Sequence, residues 1–181
     1  MWYKSFWIVL IGWLFIAGEW RIAAGVEFSD FGPFQGKVLD MKTKEPIEGA
    51  VVLIEWRKIH FFAGSTFIDA HETLTNKNGD FYIPGIWIFN PWKHISSDTQ
   101  MIIYKSEYKA IETGAWRDWE VFSPKLEYVL KVEDGKPIFL LKKLETIEER
   151  RQNIPSRVHA PKSKSKLLDQ EINKERKILG Y

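Results

Sequence analysis

The chain has no cysteine. Disulfides, thiolate catalysis, cysteine-ligated zinc and a bacterial lipid-modified cysteine are excluded together. Histidine is scarce too. His60, His71, His94 and His159 are scattered, and in sequence none pairs with Glu, Asp or His at the helical or hairpin spacing of a metal site. Asp30, Asp40 and Asp69 show no spacing that would gather them around a cation. Asn76-Lys77-Asn78-Gly79-Asp80 has the look of a calcium loop, but its glycine comes two residues too early and no bidentate Glu follows at the twelfth position. A large field of one charge is also missing. The net charge is +2, and the excess of cations sits in Lys142 to Tyr181, with 11 Lys/Arg against 6 Asp/Glu. The rest of the chain is slightly acidic, which argues against nucleic acid as a partner. No site constellation for catalysis is visible, so the chain is expected to be non-enzymatic and to need no cofactor or metal.

Aromatic residues, by contrast, are plentiful: 9 Trp and 12 Phe in 181 residues. That length suits one domain with a sizeable core and appendages. Residues 1–25 read as a targeting segment. Lys4 precedes the apolar run Phe6 to Gly18, and Ala23-Ala24-Gly25 offers small residues for cleavage. A helix of that run spans roughly 20 Å, short of the roughly 30 Å hydrocarbon core. The segment is either a secretory signal or an uncleaved anchor, with Trp2, Trp20, Lys4 and Arg21 reaching the interfaces. Export without cysteine points to a bacterial periplasm or outer surface.

Two phrases organise the chain. Gly36-Lys37-Val38-Leu39-Asp40 is followed by Pro46-Ile47-Glu48-Gly49-Ala50-Val51-Val52-Leu53-Ile54, and then comes Thr73-Leu74-Thr75-Asn76-Lys77-Asn78-Gly79-Asp80-Phe81-Tyr82-Ile83. Each reads as strand, turn, strand. Val52, Ile54 and Trp56 share a face at the period of two, as do Phe81 and Ile83. Asn76 to Gly79 supplies turn residues that tolerate positive φ.

These phrases, G-x-V-x-D, P-I-x-G-A-x-V and T-N-x-x-G-x-F, resemble the carboxypeptidase regulatory-like domain, a transthyretin-like β-sandwich. The resemblance covers roughly Phe34 to Leu144 and implies an all-β fold: an antiparallel, seven-stranded Greek-key sandwich. It implies little about activity. Where the family has Gly-Tyr after its later strand, this chain has Glu107-Tyr108, and the turn there is expected to differ. The zinc ligands of a carboxypeptidase are not visible, and neither is the Tyr-Arg-Gly-Ser ending of the related hydroxyisourate hydrolases.

Around the sandwich the sequence predicts three aromatic insertions and a helical tail. Ile59 to Ile68 reads as a strand extension or as a loop over a sheet edge. Ile86 to His94 and Trp116 to Phe122 carry the candidate binding residues Trp87, Trp92, Trp116, Arg117, Asp118 and Trp119. These either form a satellite core or present flat rings to a protein or a glycan. The partner expected is an envelope protein or, as the alternative, a carbohydrate. Residues 145–181 form the tail. Thr146 to Glu149 has the spacing of a capping box and opens a helix to about Asn153, ended by Pro155. Ser156 to Lys166 reads as a solvated linker. Leu167 to Leu179 is a second helix with Leu168, Ile172 and Leu179 on one face. The tail either docks on the sandwich through Ile147, Leu168 and Ile172 or reaches out to a partner or an anionic membrane.

Overall fold

The structure is a computed structural model that describes residues 32–60, 64–86, 96–113, 129–133, 136–155 and 158–181. The targeting segment, 1–25, lies outside the described residues. Among those residues no helix is long and apolar enough to cross a membrane.

The fold is mostly β. The described residues form eight strands: β1 (Phe34–Asp40), β2 (Val51–His60), β3 (Gly64–Leu74), β4 (Asp80–Ile83), β5 (Ser96–Tyr104), β6 (Ile111–Thr113), β7 (Val129–Glu133) and β8 (Lys136–Leu141). They make two four-stranded sheets, ordered β4-β1-β8-β7 and β3-β2-β5-β6. The sheets bury one core between them. Val38, Phe81, Phe139 and Leu141 come from the first, and Val52, Ile54, Trp56, Met101 and Ile103 from the second. The period of two in β2 thus points Val52, Ile54 and Trp56 inward as its sequence predicts.

Two features depart from an antiparallel seven-stranded sandwich. The additional strand is β6, three residues long and too short to leave a periodic signal. Secondly, β1 pairs β8 in parallel, with Lys37 opposite Ile138 and Asp40 opposite Leu141. The two strands lie near opposite ends of the chain, so no tight turn imposes antiparallel pairing on them. The first insertion resolves as strand extension: β2 runs on to His60 and β3 starts at Gly64, with one bulge between Trp56 and Arg57.

The motif phrases are knotted together at Thr75. Its Oγ1 donates to the Ile47 carbonyl at 2.6 Å and accepts from the Ala50 N–H at 2.8 Å, while its backbone bonds Gly49 and Ala50. The Val38 N–H donates to Gly79, and the Ile47 N–H donates to Val38. Gly79 has φ 76°, and a Cβ there would meet the Val38 carbonyl oxygen at 2.4 Å. Only glycine fits both demands. Asn76 Oδ1 holds the same turn by accepting from the Asn78 and Asp80 N–H groups.

The tail forms a third layer. α1 (Ile147–Gln152) has the expected capping box between Thr146 and Glu149, and α2 (Lys166–Ile178) ends before Gly180 at φ 83°. Leu168 and Ile172 of α2 bury against Val51, Leu53, Ile102 and Tyr104 on the outer face of the second sheet. Each such side chain removed from water contributes about 1.5–3 kcal/mol. Ile147 takes no part and is 60% exposed.

The segment between the helices is solvated only in part: among its described residues Pro161 to Lys164 are exposed, while others are held on the sheet. Val158 and Ala160 pack on the sheet, and Oε1 of the fully buried Glu55 accepts from the His159 and Ala160 N–H groups at 3.0 and 2.8 Å. Glu72 of β3 accepts from Leu167 and Leu168, in the place of a cap that the Ser165 side chain does not supply. Asn153 bonds the Tyr108 carbonyl and the Ala110 N–H. Carboxylates and an amide thus satisfy backbone groups that strand pairing leaves open.

Candidate functional site

The six candidate binding residues, Trp87, Trp92, Trp116, Arg117, Asp118 and Trp119, lie outside the described residues, as does His94. The strands that flank their segments are described, however. Phe34 opens β1 opposite Ile83, the last residue of β4, and its ring lies 6.0 Å from that of Trp56. Beyond Trp56, β2 continues for four residues, paired on one side with β3 from Gly64 and on the other with β5 from Ser96. Among the described strands, at about 3.3 Å per residue, these three overrun the opposing sheet by roughly 13 Å. The segments 61–63 and 87–95 attach at this end, and β6 runs towards it before 114–128.

The opposite end is closed. Asp40 Oδ1 accepts from the Lys42 and Thr43 N–H groups, and the Asp40 carboxylate also bonds the Tyr108 hydroxyl. Burial would raise the Asp40 carboxyl, but these bonds hold it below its ordinary value. Burial, with the same carboxylate beside it, pushes the Tyr108 hydroxyl up. Glu107, which stands where the resembled family carries glycine, has φ 73°. The turn therefore places a left-handed backbone on a residue with a Cβ.

A groove of about 340 Å³ lies where the edges of β3 and β4 face one another, roofed by the turn before α2. His71, Thr73, Tyr82, Pro84, Ser163 and Lys164 line it. The His71 imidazole stands edge-on to the Trp56 indole at 5.2 Å, with Nε2 3.5 Å from Asp69 Oδ2. Asp69 Oδ1 accepts from Lys164 Nζ at 2.8 Å and from the Ala70 N–H at 2.8 Å. Burial opposes ionisation of Asp69, and Lys164 overcomes it, holding the carboxyl below its ordinary value.

The Asp69–His71 pair has a spacing of two on one strand, which puts both side chains on one face. That signal was present in the sequence, and the inventory of helical and hairpin spacings passes it over. Chemically the carboxylate is already committed to a lysine and to a backbone N–H, so the pair orients an imidazole at the groove wall. No group of three or more His, Asp or Glu able to hold a metal occurs among the described residues. Of the remaining candidates, His159 is engaged through its backbone with Glu55.

Glu55, Glu72 and Glu175 are the polar residues that sequence reading missed. No local pattern marks them, yet Glu55 and Glu72 bond the tail's backbone and Glu175 turns inward from α2 to Arg150. The run Val51-Val52-Leu53-Ile54 did carry a signal. Four successive apolar residues in one strand require a cover on both faces.

No family model matches the sequence, and no curated protein matches it. Among solved structures the chain is similar to the pilus adhesin RrgA of Streptococcus pneumoniae, with 11% identity and a TM-score of 0.38. The likeness covers 64% of this chain and 15% of that one.

Proposed function

We propose that the chain is a non-catalytic interaction module of a bacterial cell envelope, built on a transthyretin-like, carboxypeptidase regulatory-like sandwich. Residues 1–25 form its targeting helix, as signal or as inner-membrane anchor, and place the sandwich outside the cytoplasm. Its partner is another envelope protein, bound at the end where β2, β3 and β5 overrun the opposing sheet. That overrun carries the reading. The segment that holds Trp87 and Trp92 leads directly into β5 of this end, and β6 runs towards it before the segment that holds Trp116, Arg117, Asp118 and Trp119. Connecting segments on a sandwich scaffold are where binding residues concentrate. The opposite end is consumed by internal hydrogen bonds around Asp40 and Thr75.

The test is a photo-crosslinker at Asp118 in the full chain expressed in a Gram-negative host, with a second at Lys77 in the closed turn. A discrete protein adduct from position 118 and none from position 77 supports the reading. Retention on envelope polysaccharide, lost in Trp116→Ala or Trp119→Ala without loss of thermal stability, would replace the protein by a glycan. Full-length chain in the cytosol would refute export.

A further inference from the structure

The sequence shows the tail's cations interleaved with Glu, but folding separates them. Glu175 is buried and held by Arg150, and Glu171 turns towards Lys105, with Lys174 at its rim. The solvent side of α2 is left with Lys166, Lys174, Arg176 and Lys177, all exposed, and with Gln170 and Asn173 as its neutral residues. Asp169 remains half-buried on the flank.

Exposed apolar side chains lie beside these cations. Ile178 is 54% exposed and Tyr181 71% exposed. The Arg151 guanidinium sits 5.7 Å over the Tyr181 ring, which ties α1 to the same surface. Ile147 lies one turn before Arg151, and so on the same face of α1. Glu148 and Glu149 share the first turn of α1 with Ile147, where Glu149 is spent on the capping box and Glu148 accepts from Gln152.

Cations on long stems around an aromatic and aliphatic rim match a lipid headgroup region, where the charges meet phosphates and the apolar groups enter the acyl boundary. The surface is a convex helix face. A planar anionic surface demands no groove. We infer that the outer face of α2, with Arg151 and Tyr181, docks the folded domain on an anionic phospholipid surface. The inference stands independently of the partner proposed for the overrunning end of the sandwich.

The absence of cysteine makes the test clean. Asn173→Cys in the full chain is labelled with a polarity-sensitive dye, and Gln35→Cys, on the other sheet, serves as control. Vesicles of phosphatidylcholine alone and with phosphatidylglycerol are compared at low and high salt. The dye at 173 is expected to report a less polar setting on the anionic vesicles only, reversed by salt, while the dye at 35 does not respond. Combined Lys166→Gln, Lys174→Gln and Lys177→Gln should weaken the response roughly tenfold or more. Ile178→Ser with Tyr181→Ser should leave residual binding wholly salt-sensitive. Equal responses on both vesicle types, a neutralised variant that binds as well as the parent, or a response to duplex DNA at matched charge would each overturn the inference. All these residues are exposed, and the thermal midpoint of each variant checks that the fold is intact.

Discussion

Arg150 Nε and Nη2 donate to the two carboxylate oxygens of Glu175 at 2.7 and 2.8 Å, clasping α1 to α2 over the sheet. Ser106 Oγ bonds the same carboxylate. With Glu175 1% exposed, Arg150→Ala would strand a buried charge, and a loss of about 3–5 kcal/mol is expected. Urea unfolding followed by tryptophan fluorescence measures it. The pH dependence has a definite sign. The Arg150 hydrogen bonds outweigh burial and hold the Glu175 carboxyl below its ordinary value. A carboxyl depressed in the folded state adds stability above its unfolded value, and the gain is lost as pH falls through the folded one. The gap between parent and Arg150→Ala should therefore narrow in acid, where a protonated Glu175 needs no cation. A gap that widens below about pH 4 would contradict the assignment.

Glu107 gives a prediction of the opposite sign. A left-handed backbone costs a residue with a Cβ roughly 1–2 kcal/mol, and glycine avoids it. The Glu107 carboxylate is half-exposed and reaches Lys143 at 3.4 Å and Arg150 at only 3.9 Å. Exposed pairs of this kind contribute about 0.2–1 kcal/mol. The backbone term is the larger, so Glu107→Gly is expected to raise stability by about 0.5–1 kcal/mol. A lower urea midpoint for this variant would show that the ion pairs win.

Glu72 accepts from the first free N–H groups of α2 at 2.8 and 3.1 Å. Glu72→Ala removes that cap without cutting into the core, and a loss of about 1–2 kcal/mol follows. The more specific readout is amide exchange. Leu167 and Leu168 should lose protection in the variant while the β2 and β5 amides keep theirs. Uniform loss of protection would mean that Glu72 supports the whole sheet, and the cap assignment would fail.

The sequence made some of this architecture legible and concealed the rest for definable reasons. The turn at Asn76 to Gly79, the inward set Val52, Ile54 and Trp56, the capping box at Thr146 and the Leu168/Ile172 stripe each follow from local rules of period or turn chemistry. β6 was hidden because three residues have no period. The seating of the tail was hidden because Glu55 and Glu72 bond backbone groups about one hundred residues away, and no local pattern encodes a long-range acceptor. The supposed linker of Ser156 to Lys166 illustrates the same limit: its polar composition fits solvent, yet Glu55 and the apolar face of Val51 and Leu53 pull it down. Asp69 and His71 were legible at strand spacing. What they face, a groove shared with the tail at Lys164, was not.

Leu168 and Ile147 settle how the tail is held, because both are docking candidates in the sequence and the structure buries only one. Leu168 is fully buried against Val51, Leu53 and Tyr104, whereas Ile147 projects into solvent at the start of α1. Leu168→Ala leaves a cavity over the sheet and should cost about 2–5 kcal/mol. Ile147→Ala, at an exposed site, should stay within about 0.5 kcal/mol of the parent. The two variants are also expected to differ in kind. Loosening α2 bares the outer face of β2 and β5, so Leu168→Ala should bind a hydrophobic dye before the main unfolding transition, and Ile147→Ala should not. Equal losses from the two substitutions would mean that α1 shares the docking surface, and the arrangement in which α2 and not α1 covers the sheet would have to be abandoned.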